Sequence, residues 1–167
     1  MNEGKRRGPQ DILKGALEGL EHDALTGDFD EAKDLFLKSP EVFLSTKSAG
    51  FQTKFAERWV EKDPENLDQL IDRIDAFTEL DQNDFIRKCY HASLGSGLDP
   101  IGMEKVIGNF NKFTRADGAY WAKELGDATD PSLWMAVKTH IDKFGLEETV
   151  KKEVLDWIEH LEKERTE

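Results

Sequence analysis

Asp63-Pro64-Glu65-Asn66-Leu67-Asp68-Gln69-Leu70-Ile71-Asp72-Arg73-Ile74-Asp75-Ala76-Phe77 is the stretch that decides the fold class. Asp63 offers a side-chain oxygen at a helix N-cap, and Pro64 fits the first helical position, where the missing N–H costs nothing and φ is already set. Leu67, Leu70, Ile71, Ile74 and Phe77 then recur at three- and four-residue spacing, the signature of a helix with one buried face. The same grammar runs through the chain. Ser39-Pro40, Asp99-Pro100 and Asp130-Pro131 repeat the cap–proline pair, and Pro9 follows Gly8 just before another periodic run. No proline interrupts a periodic segment.

Working outward, the spacing predicts a helix over about 11–25 (Leu13, Ala16, Leu17, Leu20, Ala24), stopped at Gly27. Asp28 caps the next, with Glu31 in capping-box position and Phe29, Ala32 and Phe36 facing inward. A short turn at 40–44 precedes a helix over 49–62 carrying Phe51, Phe55 and Trp59. Asp81 or Asn83 caps a helix with Phe85, Ile86 and Cys89. Met103, Val106, Ile107 and Phe110 mark a segment weakened by Gly102 and Gly108. Helices over 116–125, from Pro131 (Leu133, Val137, Ile141, Phe144, closed by Gly145) and over 146–165 (Val150, Val154, Trp157, Leu161) complete the series. No strand alternation survives. The expectation is an all-α fold, an irregular bundle of about seven to nine capped helices. A short helical-repeat-like stack is the alternative, but intervals of 24, 36 and 31 residues between helix-opening prolines are too uneven for a regular repeat.

Length and composition set bounds on function. One helical domain over 11–167 with a disordered polar and basic tail over 1–10 suits 167 residues. The 35% of charged residues favours solvated helices, and no apolar run reaches membrane-spanning length. Residues 1–10 lack the apolar core of a secretory signal. Cys89 is the sole cysteine, so no internal disulfide or thiolate metal cluster is available, and a reducing, cytoplasmic compartment fits. A net charge of −12 argues against nucleic acid and anionic membranes as direct ligands and favours a basic partner.

Catalytic signatures are missing: no phosphate loop, HExxH, GxSxG or EF-hand spacing occurs. Asp28, Asp30 and Asp34 crowd a helix start as dipole-stabilised carboxylates. Glu18/His22 and Asp156/His160 are i, i+4 pairs able to share a proton or help hold a metal, and they carry the least favoured reading, a metal-binding or hydrolytic bundle. His140 falls on a core edge and His91 near a helix end. Cys89 lies on a buried face. Neither a metal nor a cofactor is implied.

The strongest functional lead is a line of carboxylates. On a continuous helix from Pro64, Asp68, Asp72, Asp75 and Glu79 would fall in a strip about 60° wide beside the apolar stripe. Residues 63–85 carry Arg73 as their only base and a net charge of −7; residues 11–45 carry −6. The 146–165 segment differs, because Glu147/Lys151, Glu148/Lys152 and Glu159/Lys163 compensate one another in the favourable order. The strip therefore pairs with Lys54, Arg58, Lys62, Arg87 or Lys88, stays simply solvated, or meets a basic partner. Tyr120, Trp121 and Trp134 are the candidate aromatic anchors. The function expected is a non-enzymatic protein–protein interaction module with an acidic helical face, one form of which is an inhibitor imitating nucleic-acid charge. A structural subunit of a larger assembly is the alternative.

Overall fold

The computed structural model describes residues 27–45, 49–94 and 101–166; these contain nine α-helices and no strand. The expected helix over 11–25 and the tail over 1–10 lie outside the described residues, as does the Asp99-Pro100 pair. The all-α fold is as the periodicity predicts.

In chain order the helices are α1 (Phe29–Lys38), α2 (Pro40–Ser45), α3 (Ala49–Lys62), α4 (Leu67–Ile71), α5 (Gln82–Leu94), α6 (Ile101–Gly108), α7 (Gly118–Gly126), α8 (Pro131–Thr139) and α9 (Glu148–Thr166). Capping oxygens fix several starts. Asp28 accepts from the Glu31 N–H, Asp81 from Asp84, Asp117 from Tyr120 and Asp130 from Ser132. Asp63 departs from the pattern: its carboxylate takes the Asn66 side-chain amide and the Lys33 ammonium at 2.7 Å, and makes no backbone cap. Ser39 closes α1, its N–H donating to the Leu35 carbonyl, as Pro40 opens α2.

The most informative difference concerns the stretch from Pro64. Instead of one long helix, the backbone forms a 3₁₀ turn (Pro64–Asn66), the short helix α4, and a second 3₁₀ turn (Ile74–Ala76). Leu67, Leu70, Ile71, Ile74 and Phe77 are nevertheless all buried. A 3₁₀ turn repeats every three residues, so it preserves inward spacing while bending the chain.

The same corner occurs three times. α6 leads into a 3₁₀ turn at Phe110–Lys112, and α8 into one at Ile141–Phe144. The residues entering the corners share one backbone conformation: φ/ψ is −115/18 at Arg73, −119/21 at Asn109 and −110/23 at His140. Phe77 and Phe113 leave at −83/76 and −84/75. Counted from Pro64, Pro100 and Pro131, the third, sixth, tenth and thirteenth residues are apolar and buried in every copy: Leu67/Met103/Trp134, Leu70/Val106/Val137, Ile74/Phe110/Ile141 and Phe77/Phe113/Phe144. The uneven proline intervals hid this unit because α5 has 13 residues and α7 only nine. Within the bundle a unit of helix, 3₁₀ corner and second helix thus recurs, at the uneven intervals the sequence shows.

The units stack. The leading helices pack in succession, α4 on α6 and α6 on α8, while α3 packs on α5 and α7 on α9. Two buried glutamines join the layers: Gln52 of α3 accepts the Glu79 N–H at 3.0 Å, and Gln82 of α5 accepts the Arg115 N–H, two residues past the corner phenylalanine in both cases. At the third junction Gly118 stands in the place of Gln82, and an added Cβ would lie 2.0 Å from the Phe144 carbonyl oxygen. Beneath α1–α3, Phe29, Phe36, Phe43, Phe51, Phe55, Trp59 and Phe77 form a continuous aromatic core with ring centroids 5.2–6.4 Å apart. Favourably packed aromatic pairs add about 0.5–1.5 kcal/mol beyond burial.

Candidate interaction surface

The corner at Arg73 divides the acidic strip. Asp68 on α4 pairs with Lys105 at 3.3 Å, and Asp72, which caps α4, pairs with Lys112. Both lysines come from the following unit, not from the Lys54, Arg58, Lys62, Arg87 or Lys88 expected from sequence. Lys88 is held by Glu57 and Arg87 reaches Asp84 at 3.6 Å. The hydrogen bond that the Lys88 ammonium donates to Glu57 holds it above its ordinary pKa. The expected strip about 60° wide does not form, because residues 72–79 leave the α-helical path.

Asp75 and Glu79 remain. Asp75 lies in the 3₁₀ corner and Glu79 in the turn beyond, both exposed, and neither has an ion-pair partner among the described residues. Beside Asp75, α2 and the corner enclose an open hollow of about 350 Å³, bordered by Glu41, Asp72 and Asp75 against Lys38 and Arg73. Arg73 turns back on its own helix, donating to the Gln69 carbonyl at 2.8 Å.

The aromatic candidates separate sharply. Trp121 is 1% exposed, its indole N–H donating to Asn83 at 3.1 Å with the Arg87 guanidinium over its ring. Trp134 is 9% exposed and donates to the Ala128 carbonyl. Both are core groups, so neither is a surface anchor. Tyr120, 45% exposed, stays outside, its ring edge-on to Trp121 at 5.0 Å. The aromatic that sequence spacing misplaced is Trp157. α9 buries Val154 and Ile158, and Trp157, expected in the core, is 45% exposed. A turn of one residue about the helix axis, roughly 100°, suffices to bring it out, and the apolar residues at 150, 154, 155, 158 and 161 are compatible with either register.

The charge pattern of α9 is also less self-contained than its sequence. Glu159–Lys163 forms at 3.4 Å, whereas Lys151 reaches back to Asp142 at 2.7 Å, a hydrogen bond that raises its pKa. His160 pairs with Glu164 at 3.2 Å in place of Asp156. Glu18 and His22 lie outside the described residues. His140 is half-buried against Gly108, and no group of three or more histidine, cysteine or acidic side chains among the described residues is placed to hold a metal ion. Burial pushes the Cys89 thiol far above its ordinary pKa, which suits a packed side chain and not a nucleophile. Among the described residues no helix is long and apolar enough to cross a membrane. No family model matches the chain, and neither the curated proteins nor the solved structures yield a match.

Proposed function

We propose that this protein is a non-enzymatic protein–protein interaction module whose acidic corner, centred on Asp75 and Glu79, meets a basic surface of a partner protein. One observation carries the reading: of four neighbouring carboxylates, two are paired with lysines of the next unit, while Asp75 on the corner and Glu79 in the turn beyond are exposed and make no ion pair among the described residues. Exposed charges of this kind steer association and set its salt dependence more than they supply affinity. Stacked helical units suit the role, since they present an extended surface from short-range packing. An inhibitor that imitates nucleic-acid charge is the sharper form of the same proposal. It requires the partner to be a nucleic-acid-binding protein that releases its nucleic acid in exchange.

The test is capture of partners at low and high salt by the wild type and by a D75N/E79Q double variant. A basic protein retained by the wild type, lost at high salt and weakened in the variant supports the reading. Equal retention by both proteins overturns it. Competition between the captured partner's nucleic acid and this chain then decides the sharper form.

A further inference from the structure

A second feature, outside the acidic corner, lies where α7 ends against α9. Lys123, Gly126 and Asp127 of one side and Glu153, Val154 and Trp157 of the other enclose an open notch of about 280 Å³. That is below the usual volume of a pocket for a drug-sized ligand and suits a single side-chain head. Three properties of the notch select for positive charge. It sits at the C-terminus of α7, the negative end of the helix dipole, with Asp127 itself at the C-cap. Two of its three charged residues are acidic. Its aromatic wall is an indole, the side chain best suited to attract a cation.

The parts are held in place. The Trp157 indole N–H donates to Asp127 Oδ1 at 2.9 Å, and the His160 ring packs beside the indole with centroids 5.3 Å apart. The opposing charge is weakly engaged: Lys123 and Glu153 approach only to 3.8 Å, and both side chains are more than half exposed. A pair of that kind contributes little and yields readily to a better-placed cation.

We infer that this notch receives an arginine side chain from a basic segment of a partner protein, the guanidinium lying against Trp157 and shared between Asp127 and Glu153. Arginine fits better than lysine, since a planar guanidinium both stacks on an indole and donates to two carboxylates at once. The basic partner is common to the proposed function. The notch, however, stands on its own residues and is tested separately.

Trp59, Trp121 and Trp134 are buried, so collisional quenching of tryptophan fluorescence by acrylamide reports mainly on Trp157. The probe is a short arginine-containing peptide titrated into the full chain, with the same peptide carrying citrulline as its uncharged counterpart. The arginine peptide should shield Trp157 from acrylamide, and the citrulline peptide should not. Glu153→Gln should weaken binding about fivefold, and Trp157→Phe by a similar factor in a calorimetric titration. Lys123→Gln should act in the opposite direction and tighten it. Shielding by both peptides, no shielding at concentrations where the peptide binds, no binding at all, or weakening by Lys123→Gln would each overturn the inference. Loss of partner capture by D75N/E79Q, with shielding of Trp157 by the arginine peptide intact, would show the two surfaces acting independently, so a fault in one reading leaves the other measurable.

Discussion

Two of the three junctions between stacked units are made by a buried glutamine, and the third by a glycine. At the first, Gln52 accepts the Glu79 N–H; at the second, Gln82 accepts the Arg115 N–H, while the Arg115 guanidinium also reaches the Phe77 and Thr78 carbonyls at 2.9 and 3.1 Å. At the third, Gly118 lies directly against the Phe144 carbonyl. The difference shows two ways of holding a corner: a side chain long enough to bridge a gap, or no side chain and no gap. The acidic surface follows from the first kind of junction, because the turn pinned by Gln52 carries Glu79 and leads directly from the corner bearing Asp75.

The contact at Gly118 is the most sensitive to substitution. Gly118→Ala places a Cβ 2.0 Å from a backbone oxygen, which no rotamer change relieves, so backbone on one side has to move. Overpacking of this severity costs about 3 kcal/mol, well above the roughly 1 kcal/mol an alanine gains in a helix. Gly126→Ala is the internal control. Its Cβ would meet Ile158 Cδ1 at 3.4 Å, ordinary contact, and stability should change by less than about 1 kcal/mol. Chemical denaturation of both variants sets the scale, and equal stability of the two would refute the close junction.

The glutamines come next. Gln52→Leu leaves the Glu79 N–H without its acceptor and should cost about 1–2 kcal/mol. Gln82→Leu should cost less despite removing the same kind of bond, because the Gln82 side-chain amide nitrogen is buried without a partner and its loss removes an unfavourable group. A Gln82 variant less stable than the Gln52 variant would reverse the ranking of the junctions.

The contrast also explains what the sequence could disclose. Capping at Asp28, Asp81 and Asp130, the buried faces, and the closure at Gly145, whose φ is 63°, were all legible, because each depends on a few adjacent residues. The corners were not. At the first, Ile71, Ile74 and Phe77 keep a three-residue spacing that an α-helix and a 3₁₀ turn serve equally, and no glycine or proline marks the bend; at the second, Gly108 weakens the helix without specifying a corner. The acidic strip failed with them: a strip drawn at 100° per residue presumes an unbroken helix. Lys105 and Lys112 lie 37 and 40 residues from Asp68 and Asp72, so their pairing depends on how units stack and leaves no local trace. Trp157 was misplaced for a smaller reason, a helix register that surplus apolar residues left undetermined.

The divided carboxylates supply the smallest effect and the most direct check on the proposed surface. Asp68 and Asp72 side chains are 45% and 47% exposed, so each pair with Lys105 or Lys112 contributes no more than about 1 kcal/mol and weakens with salt. Asp68→Asn and Asp72→Asn should each lower stability by a few tenths of a kcal/mol at low ionic strength, with the loss shrinking as salt rises. Asp75→Asn and Glu79→Gln remove charges that have no ion-pair partner among the described residues. They should leave stability unchanged or raise it slightly by relieving repulsion within the acidic zone. Denaturation at low and high salt separates the two pairs by sign. If Asp75→Asn or Glu79→Gln destabilises the fold as Asp68→Asn does, those carboxylates serve the protein's own packing. If both variants keep or gain stability, the two carboxylates have no part in the protein's own packing and are available to the proposed basic partner.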